Sequence, residues 1–129
     1  LDLKVYVEAS PKNIFKKKDY EGNIKEYKRL KNLALQIDTE AIEVDQNDYE
    51  LMELFCMFDE MLALYNLYTD RGIAVQDFLR RKAAGEKPAN SEYKDVTTKQ
   101  KSTAAAFSRS YNDLSVAYAD YIQRRSEEA

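Results

Sequence analysis

Glu53, Asp59 and Glu60 form a knot of carboxylates that could do chemistry unaided, since neighbouring carboxylates can divide general acid and base work or hold a hard cation. They interrupt an apolar stripe from its polar side, so the expectation is a solvated helix face. The sequence has no histidine, which removes the commonest general base, the usual metal ligand and every Ser-His or Cys-His nucleophile pair. The inward Glu-x-x-His pairs of di-iron carboxylate bundles cannot be built. Gly22, Gly72 and Gly85 are too scattered for a phosphate-cradling loop. Cys56, the only cysteine, makes no intrachain disulfide, and its setting Phe55-Cys56-Met57-Phe58 reads as a core thiol whose pKa burial would raise. These residues point away from an enzyme and call for no cofactor and no metal.

Tyrosine is the unusual choice in this composition, with ten in all. Tyr20, Tyr27, Tyr65, Tyr68, Tyr111, Tyr118 and Tyr121 fall on apolar seams. A phenol inside a bundle needs a hydrogen-bond partner, whereas at a seam edge its ring packs while its hydroxyl reaches water. Two readings stay open: edge-of-core packing, or a binding surface on which Tyr65, Tyr68, Tyr111 and Tyr118 anchor another protein. In an up-down-up arrangement Tyr27, Tyr65 and Tyr111 should share a middle layer, their hydroxyls bonded to each other or to Asn66, Thr69 or Asn112. The Tyr-Asn pairs in LALYNLYTDRG and FSRSYNDLSVAYADYI resemble segments of uncharacterised helical lipoproteins of the bacterial envelope. That resemblance covers under a quarter of the chain and implies no residue role.

Lys and Arg total 20 against 23 Asp and Glu, a net charge of −3 that gives no global push toward nucleic acid or an anionic membrane. Locally the balance is uneven. From Ile37 to Glu60 there are nine acids and no base. The first third is basic, through residues such as Lys12, Lys16, Lys17 and Lys18, and Arg80, Arg81 and Lys82 return to the same end. The expected shape is a rod with an acidic tip and a basic zone opposite. Lys16, Lys17, Lys18, Arg80 and Arg81 are the candidate contacts for an acidic partner or an anionic surface. The competing account is solvated charge that keeps the rod soluble and sets helix orientation.

These residues must be positioned by long elements, because 129 residues hold only three glycines and two prolines. Apolar spacings of three and four define helices over about 11–44, 48–84 and 91–126, the first opened by Ser10-Pro11 and the second capped by Asn47. Short loops make these an all-α, elongated, antiparallel three-helix bundle and a single domain over 1–129. The second helix either passes through Gly72, straight or kinked, or breaks there at an αL cap. The opening LDLKVYVEA, residues 1–9, alternates like a half-buried strand, yet no second strand is visible to pair with it. It is either a docking strand for another copy or another protein, or an extended lead-in packed on the bundle. No apolar run reaches the length of a membrane span. The start at Leu1 leans toward a processed, extracytoplasmic chain. The expected function is a non-enzymatic protein-interaction or structural module whose partner is another protein. Self-association through residues 1–9 is a further option, and lipid headgroups or nucleic acid at the basic end are the rival.

Overall fold

The structure is a computed structural model and describes residues 19–38 and 43–128. Three helices make up the fold: α1 (Tyr20–Leu35), α2 (Tyr49–Ala83) and α3 (Asn90–Glu128). At 1.5 Å per residue α2 and α3 are rods of about 50–60 Å. They pack antiparallel with α2 in the middle, touching α1 on one side and α3 on the other. No strand occurs among the described residues. The strand-like segment 1–9 and Lys16, Lys17 and Lys18 lie outside them.

Helix α1 is shorter than its periodicity predicts. Asp19 has non-helical dihedrals (φ −96°, ψ 66°) and its carboxylate accepts the Gly22 amide at 3.1 Å, so α1 starts at Tyr20; the helix start expected at Ser10-Pro11 lies outside the described residues. The other end stops at Leu35 and not near 44. No basic residue occupies the last turn, and the following acids, Asp38, Glu43 and Asp45, would meet the negative end of the helix dipole. The β-branched Ile37 and Val44 add a further mild cost to helix.

The cap of α2 is Asp48, not Asn47. Asn47 is spent in the preceding turn, where its amide donates to Asp45 Oδ1 at 2.9 Å, and Asp48 Oδ1 accepts the Leu51 amide at 3.1 Å. From there α2 is continuous through Gly72. It ends in a Schellman arrangement: the Glu86 amide reaches the Arg81 carbonyl at 3.1 Å, the Gly85 amide reaches Lys82, and Gly85 takes φ +93°. Helix α3 opens at Asn90, where the Ala89 carbonyl receives the amides of Glu92 and Tyr93.

The core is aromatic and concentrated on α2. Leu54, Phe58, Met61, Leu62, Tyr65 and Tyr68 are buried there, against Tyr27, Leu30 and Ala34 of α1 and Phe107 and Leu114 of α3. Tyr27 packs edge-on to Tyr68 at 5.9 Å; Phe107 stacks on Tyr68 at 5.9 Å and meets Tyr65 at 5.5 Å. The middle layer is therefore Tyr27-Tyr68-Phe107-Tyr65, with Tyr111 reaching only Phe107, at 6.3 Å. The Tyr27 and Tyr68 phenols interact with each other, one of the expected pairings, and Gln100 Nε2 of α3, which was not expected, donates to the Tyr27 hydroxyl at 3.3 Å. Tyr27 thus contacts all three helices. One turn away, Asn23 Nδ2 donates to Gln76 Oε1 at 3.1 Å, a buried amide pair between α1 and α2.

Cys56 corrects the reading of its neighbours as core. It is exposed. Phe58 carries the seam, and two residues earlier along a helix is roughly 160° around the axis, so an apolar stretch contiguous in sequence is split between both faces.

Candidate functional site

Of the tyrosines proposed as partner contacts, Tyr65 and Tyr68 are fully buried (0% and 1% exposed) and present nothing to a partner in this fold. They hold the core because α1 and α3 close over them from both sides. Tyr111 is half-buried and Tyr118 is 44% exposed, so only these two reach the surface. Burial first, and then the phenols of Tyr27 and Tyr65, push the Tyr68 pKa far above its ordinary value.

The basic end is less available than its charge count suggests. Arg80 pairs with Asp77, and Arg81 pairs with both Asp77 and Glu92, the latter across the α2–α3 turn. The bond to Glu92 is the main reason the Arg81 pKa rises. Lys82, Lys87 and Lys94 make no ion pair among the described residues. At the opposite tip the sequence reading missed a compensation, since α3 ends beside the start of α2. Arg125 pairs with Asp48 and Arg124 with Glu50, while the Tyr121 hydroxyl donates to Asp48 Oδ2 at 2.9 Å. The Arg125 guanidinium also lies over the Tyr121 ring at 5.0 Å. The Leu51 amide is the largest influence holding the Asp48 carboxyl below its usual range; Tyr121 and Arg125 add to it against a partial cost of burial. The antiparallel order of α2 and α3 was the available signal, because it returns the last turn of α3 to the acidic tip.

The most distinctive surface is a pair of depressions that adjoin at Met57 along the flank between α2 and α3, to which α1 contributes no residue; together they form a shallow groove. On α2 its wall is Glu53, Met57, Glu60 and Leu64; on α3 it is Ala106, Ser110, Asp113, Ala117, Asp120 and Arg124. Each set advances by four, three and four residues, and most members precede a core position by one: Met57 before Phe58, Ala106 before Phe107, Asp113 before Leu114. The groove is thus the flank of the same seam that builds the core. It stays open because Ala106, Ser110 and Ala117 are small, so two helices in contact leave an unfilled trough beside their line of contact. Met57 and Leu64 are partly buried in its floor. From Ala106 to Arg124 it runs about 27 Å. Among the described residues its lining holds five carboxylates (Glu50, Glu53, Glu60, Asp113, Asp120) and two guanidiniums (Arg109, Arg124), a net of −3.

Glu53 and Glu60 are exposed on this rim, so the carboxylate knot singled out in the sequence is a solvated edge. Among the described residues no three His, Cys, Asp or Glu side chains converge as metal ligands, and no helix is long and apolar enough to cross a membrane. No family model, curated protein or solved structure matches the chain.

Proposed function

We propose that the chain is a non-enzymatic helical-bundle module that binds another protein, with the α2–α3 groove as its contact surface. The observation that carries this reading is the trough itself: an apolar floor of Met57, Leu64, Ala106 and Ala117 between charged rims, long enough for about five helical turns. A groove of this shape is the receiving half of helix-in-groove recognition. Photo-crosslinking residues placed at Met57 and Ala117, with Leu67 (40% exposed and outside the groove) as control, test it in the source cell. Specific protein adducts from the two groove positions and not from Leu67 support the reading; equal labelling from all three sinks it.

The rival, docking of an anionic surface at the basic end, draws on Lys82, Lys87 and Lys94 together with Lys16, Lys17 and Lys18, which lie outside the described residues. Arg80 and Arg81 favour it less, being held by Asp77 and Glu92. Flotation with phosphatidylserine vesicles distinguishes it, since the groove reading expects no binding at physiological salt.

A further inference from the structure

We propose that the occupant of the α2–α3 groove is a basic amphipathic helix of a partner protein, laid along the trough as a fourth helix beside α2 and α3. The inference rests on the interaction-module reading and adds the chemistry of the partner. Three features select it. The floor is a narrow apolar stripe and not a closed pocket, so it suits one line of side chains at i, i+3, i+4 and i+7, the pattern of an amphipathic helix. The walls repeat at the same four-three spacing on both helices, so a third helix can interleave along the whole trough by the ridges-into-grooves packing that α2 and α3 already use. The acidic charge lies on the α2 rim, which contributes Glu50, Glu53 and Glu60 and no base, while the α3 rim sets Asp113 and Asp120 against Arg109 and Arg124; Glu53, Glu60, Asp113 and Asp120 make no ion pair among the described residues. Arg124 is already engaged by Glu50, which leaves Arg109 as the one unpaired base in the lining among the described residues.

Lysines or arginines flanking the apolar stripe of the incoming helix would meet these carboxylates while their alkyl stems cover Met57 and Leu64. An acidic helix would be repelled along the α2 rim. Because the rim charges stay solvated, they speed encounter and choose the partner more than they set affinity, and binding should weaken with salt.

The test uses the full chain, isotopically labelled, and an 18-residue Leu/Ala/Lys amphipathic helical peptide, with a Leu/Ala/Glu twin of the same apolar pattern. The expected result is amide shifts confined to the groove positions of α2 and α3 with the lysine peptide and none with the glutamate twin. The triple variant Glu53→Lys, Glu60→Lys and Asp113→Lys should bind the lysine peptide roughly tenfold more weakly with an unchanged circular dichroism spectrum and melting temperature. Shifts centred on the tip, on the basic end or on residues facing α1 overturn the proposal, as does equal binding of the twin or no binding of either. If the groove crosslinks a protein in cells while the lysine peptide fails to bind, the interaction module stands and its partner is not a basic helix. If neither occurs, both readings fall.

Discussion

Tyr27 lies against the bare backbone of Gly72: a Cβ at that position would come within 2.6 and 2.8 Å of the ring's Cε1 and Cε2, and closer still to Cζ. In an ordinary helix interior Gly→Ala is stabilising by up to ~1 kcal/mol. Here the sign reverses, because the ring is fully buried and cannot move aside. Gly72→Ala should cost about 1–3 kcal/mol in urea melts. Tyr27→Leu opens the space the methyl needs, so the double variant should lose less than the sum of the two singles. Strict additivity would mean that the close approach has no energetic consequence.

The amide pair Asn23–Gln76 offers a second test. Asn23→Ala leaves the buried Gln76 carbonyl without its donor and should cost about 1–3 kcal/mol. Replacing both by Leu should recover much of this, since an apolar pair of similar size has no polar group to satisfy. If the double replacement is as unstable as the single, the pair's value lies in fixing how α1 sits on α2, and not in hydrogen bonding.

Alkaline unfolding should report on Tyr27 and Tyr68. Burial raises both pKa values, so the fold favours the protonated phenols. Their contribution is complete below the ordinary value of about 10 and declines as the pH rises past it, because the unfolded chain gives up the proton first. Chemical melts from about pH 8 to 11 should show stability falling, with Tyr68→Phe flattening the slope. The phenolate absorbance of the wild type should reach its full amplitude only on unfolding. A slope unchanged by Tyr68→Phe would show that other groups govern the alkaline limb.

Acid stability should report on Asp48. Its pKa is lowered in the fold, so its stabilising effect is present above the ordinary carboxylate value near 4 and is lost as the pH falls through the lowered folded value. Asp48→Asn keeps a capping oxygen for the Leu51 amide but gives up the ion pair with Arg125. It should be less stable than wild type at neutral pH and converge on it in acid. Asp48→Ala should remain below wild type throughout, having also lost the cap.

Reversing Arg80 and Arg81 to Glu should lower the melting temperature, because Arg81 joins α2 to Glu92 of α3, and the loss should shrink in high salt. An unchanged melting temperature would return these arginines to the pool available for an outside partner.

The periodicity of the chain was enough for three antiparallel helices, for the end of the second helix near 84 and for the core positions Phe58, Met61, Phe107 and Leu114, because each depends on spacing along one helix or on a local turn. Local competition already blurs the ends: Asn47 and Asp48 are both good caps, and only the turn through Asp45 decides between them. The length of α1 was illegible for a related reason, since apolar spacing persists past Leu35 while dipole and side-chain effects end the helix. What the tertiary structure alone decided are relationships between helices. Gly72 is a contact site for a tyrosine 45 positions earlier and not a hinge, and Tyr65 and Tyr68 are sealed inside instead of facing a partner. Arg124 and Arg125 pair with Glu50 and Asp48 at a tip that reads as purely acidic. The groove is written in the sequence as small and acidic residues one step from the seam, yet those residues become a trough only when α2 and α3 lie side by side with no α1 residue lining that flank. One-dimensional patterns fix which face of a helix turns inward, and packing fixes which of the remaining faces stays open.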